Sequence, residues 1–312
     1  MQDHIEFIRQ LVAQGGPALS DYEVFNDWLH VVARKVRDHE LSQHDIQEIR
    51  TAFGYALSEE TIQGFGYKKP HGYPGDYEML EKLYLEHVSS DASLANWDNF
   101  FHWQRCVIAV RNRKQFFICL LKCLEHSSCS EQMQVLDLAS GPARCECEFL
   151  RNDSTGKTFF DCVDFDGDAI AYAKNLCREH LERINFYNAN VFRFKTRNRY
   201  QLIWSAGLFD YFDDKQFKFL LKRLVTLLDI EGELVIGNFS PDNPTRDYME
   251  IVGDWYLYYR TQNDLMTLAQ DCGISATDIR ITQEPEEIIL FLHIKRGNNF
   301  IPLSYGKEIC RG

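Results

Sequence analysis

The stretch VLDLASGPARCECEFL, residues 135–150, decides how the rest of the chain is read. Val135, Leu136 and Leu138 form an apolar strand with one acid, Asp137, set into it. A turn of small residues follows, Ala139-Ser140-Gly141-Pro142-Ala143, and then an acidic, helix-like segment. Strand, tight turn and helix in that order outline a nucleotide-binding unit, in which the turn presents a ligand to the helix N-terminus. Such turns usually carry three glycines. This one carries Gly141 alone.

Outward from this stretch, the two parts of the chain differ in period. Up to about residue 126, apolar residues return every three or four positions, as in YEVFNDWLHVVARKVRDH and the run from Ala95 to His126. This predicts helices. GFGYKKPHGYPGDYE, residues 64–78, interrupts them with Gly64, Gly66, Gly72, Pro74 and Gly75, and reads as an ordered loop ending at a helix N-cap, Asp76. From about residue 130 strands alternate with helices. Strands are expected at Gln134–Ala139, Phe159–Phe165, Ile184–Ala189, Gln201–Ala206, Glu233–Phe239, Ile279–Gln283 and Ile288–Lys295. Helices are expected at Arg144–Arg151, Gly167–His180, Asp214–Asp229 and Gln262–Asp271. The predicted fold is α/β: a Rossmann-like, mostly parallel seven-stranded sheet ending in an antiparallel hairpin, preceded by an α-helical N-terminal lid region. The domains expected are a helical lid and substrate region over 1–126 and a catalytic domain over 127–312.

In an open parallel sheet, ligands lie beyond the carboxyl ends of the strands. Those ends carry Asp137 and Ala139-Ser140-Gly141 on the first, Asp164-Phe165 on the second, Asn190-Val191 after the third and Ser205-Ala206 on the fourth. An acid closing the second strand, about 27 residues after Asp137, is where a ribose would be held. Asn190 can exchange hydrogen bonds with an adenine edge. The missing glycines then become informative. A pyrophosphate needs glycine for close backbone approach, and Pro142 removes one backbone donor. A cofactor without phosphate makes no such demand, and alanine can stand where φ is negative. The turn therefore predicts S-adenosylmethionine, with Ala139 and Ala143 at negative φ.

The C-terminal part resembles class I S-adenosylmethionine-dependent methyltransferases. The resemblance implies that Ala139 and Gly141 face the methionine part, Asp164 the ribose and Asn190 the adenine. ASGPARCE, SAGLFDYF, IGNFSPDNPTRDYMEIVGDWYLYYR and GYPGDYEML together resemble bacterial proteins of 3-hydroxypalmitic acid methyl ester biosynthesis. Related proteins cyclise S-adenosylmethionine to azetidine-2-carboxylate. The resemblance implies methyl transfer to a small molecule, such as a (hydroxy) fatty-acid carboxylate, within bacterial secondary metabolism or signalling. The alternative it implies is the cyclase, a lyase-type cleavage of the cofactor that leaves methylthioadenosine.

Charge and composition narrow the partners. A net charge of −12 argues against a nucleic-acid footprint, while the resemblance implies a small-molecule substrate. The run from Arg105 to Lys114 carries four cations interleaved with apolar residues, and reads as an amphipathic helix with a solvated face or, more weakly, as an anion-facing patch. No run is long and apolar enough to span a membrane, and the first residues lack a signal-peptide core, so a cytoplasmic protein is expected. Cysteines spread through helical and strand patterns suit reduced thiols, and Cys145 and Cys147 lack a matching second pair, so no metal is expected.

The reacting centre is expected to draw on Tyr73, Ser205 and Tyr259. A tyrosine ring can face the positive sulfur, and Ser205 is expected to project into the cleft as a positioning group. Asp76, Asp210, Tyr211, Asn238, Arg246 and Arg260 are the expected substrate-binding residues. Each arginine either bridges Asp254 or Asp247 or holds a carboxylate. DYMEIVGDWYLYYRTQNDL, residues 247–265, reads as an amphipathic helix. The glycines around Tyr73 would hinge a lid that excludes water. A carboxylate acceptor, already ionised at neutral pH, needs no general base. An amine or alcohol would need one, with Tyr73, Asp76, Asp210 and Tyr211 the candidates.

Overall fold

The structure, a computed structural model, describes residues 1–127 and 131–296. The ends of the predicted catalytic domain, residues 128–130 and 297–312, lie outside the described residues. The chain divides into two compact units: Met1–Ile108 with Asn243–Tyr256, and Ala109–Asp242 with the stretch from Leu257 onward.

The first unit is helical: α1 (Gln2–Ala13), α2 (Tyr22–Arg37), α3 (Gln43–Ala52), α4 (Ile62–Lys68), α5 (Tyr77–Tyr84), α6 (Ala95–Trp103) and the start of α7 (Arg105–Ser127). The periodic apolar residues meet in an aromatic core. Phe25, Phe53, Trp97 and Phe100 are all buried, with the Phe25 and Phe100 rings 4.7 Å apart. Capping residues set the helix starts. Ser42 and Asp45 form a capping box on α3, Thr61 caps α4, and Asp76 accepts the Met79 N–H at 2.8 Å to begin α5.

One expectation fails here. Gly64 and Gly66 belong to α4, not to a loop. A Cβ at Gly64 would lie 1.9 Å from the Ser58 carbonyl oxygen, so glycine is present because another backbone passes against the helix. The loop is confined to residues 69–76, entered by Lys69 at a positive φ of 52°.

The second unit is built on the sheet. After the rest of α7 come β1 (Met133–Leu138), α8 (Arg144–Asn152), β2 (Thr158–Asp164), α9 (Gly167–Leu176), β3 (Ile184–Asn188), β4 (Tyr200–Ser205), α10 (Asp214–Val225) and β5 (Leu228–Phe239). α11 (Arg246–Ile251) returns to the helical unit, and α12 (Gln262–Asp271), β6 (Ile279–Gln283) and β7 (Ile289–Lys295) complete the chain's elements. The strand order is β3-β2-β1-β4-β5-β7-β6, parallel through β5, with β7 antiparallel to both β5 and β6. This is the Rossmann-like sheet with its terminal hairpin. Helix α7 is held by stacked rings: Phe117 lies 4.5 Å from Trp204, and Phe116 lies 4.0 Å from Phe291. β5 starts earlier than its apolar run suggests. Tyr200 pairs with Leu228 and Leu202 with Glu233, an irregularity at Gly232, where a Cβ would meet the Tyr200 carbonyl oxygen at 2.6 Å.

The aromatic segment is also not one helix. Only Arg246–Ile251 is helical, and the chain runs irregularly from residue 252 to 261. Gly253 and Asp254 break it, Asp254 with a φ of 49°.

Candidate functional site

The sheet turns its connections outward between β1 and β4, because the chain winds from β1 to β2 and β3 on one side and resumes at β4 on the other. Such a switch point opens a crevice at the carboxyl ends of the strands. The turn after β1 sits there.

Its backbone corrects the sequence reading. Ala139, Gly141 and Ala143 all adopt positive φ, 58°, 53° and 50°. The turn keeps the left-handed conformation that favours glycine, with alanine at two of those positions. It is held in place: the Ala139 N–H donates to the Val163 carbonyl at 2.8 Å, and the Gly141 N–H donates to Asp164 Oδ2 at 2.8 Å. Asp164 Oδ1 accepts the Asp166 N–H at 3.0 Å. Asp166, not Asp164, caps α9, accepting from Asp168 and Ala169. The strand-two acid is therefore released from helix capping, and each of its oxygens retains acceptor capacity. Burial pushes the Asp164 carboxyl up from its ordinary value, against the backbone N–H bonds that pull it down.

Two polar atoms at this turn are buried with no hydrogen-bond partner: Ser140 Oγ and Glu146 Oε1. Orphans of this kind are uncommon inside proteins and mark places that receive something else. Glu146 is 1% exposed on the first turn of α8, facing Asp137 on β1, which is 5% exposed. Burial and the neighbouring carboxylate push Asp137 well above the usual carboxylate range, and Glu146 is raised by burial. The Arg113 guanidinium opposes the effect on Asp137. Arg113 itself is buried, donates to the Ala206 carbonyl and lies beside Gly207. The cationic run is thus not wholly a solvated face. Its third arginine lies within the second unit, among the strand-end acids. Neither Arg113 nor Glu146 was singled out in the sequence, although the anion-facing reading of Arg105–Lys114 pointed towards the first.

The remaining expected cofactor residues have the following places. Phe165 is 59% exposed directly after Asp164. Asn190 is exposed and accepts the Phe192 N–H at 2.9 Å, making a turn, while Val191 packs partly against the core. Ser205 does not project into a cleft. It is fully buried, and its hydroxyl donates to the Leu138 carbonyl at 3.0 Å, tying β4 to β1.

Asp210, in the SAGLFDYF segment, is 2% exposed and accepts the Phe239 N–H at 2.6 Å. Burial pushes its carboxyl up to about 6, while that N–H and the nearby Arg113 and Arg260 act in the opposite direction. Tyr211 packs partly against the core. Asn238 and Arg260 are committed to structure. Asn238 donates to the Tyr258 carbonyl at 2.9 Å and accepts from Arg260 at 2.9 Å. Arg260 also donates to the Phe209 and Phe212 carbonyls and pairs with Asp214 at 3.0 Å. Tyr259 is half-buried between them in sequence.

In the helical unit, Tyr73 is half-buried in the loop and Asp76 is a buried helix cap. Arg246 pairs with Glu250 at 2.7 Å. The acids expected to receive the arginines have other partners: Asp247 takes Arg37 and His30, and Asp254 takes Arg50 and Lys69.

Comparison with known proteins bears on the fold. Residues 135–232, 98 of the 312, match the family model described as a methyltransferase domain, a span running from β1 into β5. Among solved structures, the chain is similar to a protein of Bordetella parapertussis described as a possible exported protein. The TM-score is 0.57 at 17% identity, covering 72% of this chain and 80% of that one. It is also similar to a candidate O-methyltransferase of Nostoc punctiforme, with a TM-score of 0.51 at 14% identity, covering 77% of this chain and 71% of that one. No curated protein matches the sequence. The match to a methyltransferase domain thus falls on the parallel part of the Rossmann-like sheet and the turn after β1. No helix among the described residues is long and apolar enough to cross a membrane.

Proposed function

We propose that this chain transfers a methyl group from S-adenosylmethionine to a small-molecule acceptor. The observation that carries the reading is the pair of orphaned buried atoms, Ser140 Oγ and Glu146 Oε1, at a positive-φ turn that Asp164 pins from the next strand. These groups suit a ligand that is polar at one end and has hydroxyls to share. Asp164 would hold the ribose hydroxyls with its spare lone pairs, the exposed Phe165 ring would cover the adenine beside Asn190, and Asp137 with Arg113 would meet the charged amino-acid part.

When bound, the cofactor supplies a methyl group on a positively charged sulfur, which needs no further activation. The chain's task is then to bind, orient and exclude water. Orientation of this kind is worth up to about 7–11 kcal/mol in favourable cases. The finer reading is an acceptor that is already a carboxylate, such as a (hydroxy) fatty acid, which attacks without losing a proton. A second reading, an amine or alcohol acceptor, is favoured by Asp210, whose carboxyl at about 6 suits a general base near neutral pH. The acceptor-side roles of Tyr73, Tyr259, Tyr211, Asp76 and Arg246 belong to the same proposal.

The test is product identification. Pure protein is incubated with S-adenosylmethionine alone, and then with fatty acids, hydroxy fatty acids and amines. Adenosylhomocysteine formed only with an acceptor present is the expected result, with a methyl ester when the acceptor is a carboxylate. Methylthioadenosine formed without any acceptor would overturn the proposal.

A further inference from the structure

Methyl transfer as proposed leaves one buried group unused. Glu146 is a fully buried acid on the first turn of α8, and acids are almost never fully buried unless paired. One of its oxygens meets Asp137, and the other, Oε1, meets nothing. Two carboxyls joined by a hydrogen bond must hold a proton between them, because two carboxylates can only accept. We infer that Glu146 and Asp137 share one proton in the free protein and surrender it on taking up the ammonium of S-adenosylmethionine, which makes Glu146 a proton-exchanging part of the cofactor site. This rests on the cofactor reading above and adds a proton exchange to it.

The groups facing the pair are consistent with this exchange. Arg113 from α7 is the facing cation, and Asp164 from β2 adds a like charge. The Cys145, Cys162 and Cys177 thiols are all pushed up by burial and by Glu146, so they stay neutral and do not titrate in its place. Lys114, one residue beyond Arg113, is engaged by Glu148 at 2.8 Å. With one proton, the pair carries a single negative charge that Arg113 offsets. The amino-acid part arrives as a zwitterion whose carboxylate faces Arg113, so what favours release is local: the ammonium N–H groups replace the shared proton as donors to the two carboxyls, which can then both accept. Glu146 Oε1 gains the donor it lacks.

The test is calorimetric titration of the full chain with S-adenosylhomocysteine in two buffers of different ionisation enthalpy, which counts protons directly. Methylthioadenosine serves as the control, since it has the adenine and ribose but no ammonium and so reports any proton released by Asp164. The expected result is release of about one proton with S-adenosylhomocysteine and none with methylthioadenosine. The Kd for S-adenosylhomocysteine should also fall about tenfold per pH unit where the pair is protonated. Glu146→Gln, which keeps the shape, should abolish the release. Equal release with both ligands, or binding without release, overturns the inference alone. Failure of S-adenosylhomocysteine to bind overturns the cofactor reading and this inference with it. Should Glu146→Gln not fold, the wild-type protein can be followed by infrared spectroscopy instead. A protonated-carboxyl band lost on adding S-adenosylhomocysteine supports the exchange, and a band that persists counts against it.

Discussion

The alanines of the β1 turn give a prediction whose size can be worked out. Ala139 is held at φ 58° and is half-buried. A non-glycine residue in the left-handed region costs about 1–2 kcal/mol. Replacing it with glycine relieves that strain but enlarges the unfolded ensemble, a loss of about 0.5–1 kcal/mol. Ala139→Gly should therefore stabilise the protein by about 0.5–1 kcal/mol, the difference of the two. Ala143 differs in one respect. Its methyl is 1% exposed, and losing a buried carbon costs about 0.8 kcal/mol, which cancels the gain. Ala143→Gly should be close to neutral. Urea unfolding followed by circular dichroism, with thermal scans in parallel, separates the two. Ala139→Gly should raise the melting temperature by roughly 1–4 °C, and Ala143→Gly should leave it within error. A loss of stability in Ala139→Gly would refute the reasoning, since it would mean that the methyl contributes more than the strain costs.

Other perturbations test other parts of the molecule. Asp210 is raised from 3.8 to about 6, so the folded state binds the proton more tightly than the unfolded state. Stability therefore falls as pH rises from about 4 to 6, by at most about 3 kcal/mol for that group. Asp210→Asn should flatten this part of the stability profile in urea unfolding at pH 4.5 and 6.5, and unchanged slopes would count against the assignment. Gly64→Ala would force a Cβ to 1.9 Å from the Ser58 oxygen. It should cost at least the upper end of the usual ~1–3 kcal/mol overpacking range, and a wild-type melting temperature would show that the helix is not so constrained. Tyr73→Ala should lower turnover, whereas Tyr73→Phe separates a role for the ring from one for the hydroxyl. Full turnover in Tyr73→Ala would remove this residue from the proposal.

Most of the sheet was legible because each strand carries a buried apolar run bounded by turn residues, and Ile279–Gln283 and Gln262–Asp271 emerge with their predicted ends. The failures have local physical causes. Glycine was read as flexibility at Gly64, where it marks a close approach between backbones that no local pattern reveals. Alanine was taken to imply negative φ at 139 and 143, but the turn's hydrogen bonds to β2 fix its path and the side chains accept the strain. Ser205 looks like a site residue in sequence because it is polar at a strand end, and Arg260 because an arginine in an aromatic segment must either pair with an acid or hold a carboxylate. Their partners, the Leu138 carbonyl and the Phe209–Asp214 segment, become visible only in three dimensions. Arg113 and Glu146 were hidden for the opposite reason: each sits in a helix whose charges look solvated until the fold buries them.

The central claim is that the turn after β1 and the acid ending β2 hold S-adenosylmethionine. Equilibrium titration of S-adenosylmethionine into the wild-type protein and Asp164→Ala tests it most directly. Saturable binding by the wild type is the expected result. In Asp164→Ala the affinity should weaken by about 1–3 kcal/mol, because the ribose partner and the anchor of the Gly141 N–H are lost together. No binding by the wild type, or unchanged affinity in a folded Asp164→Ala, would contradict it.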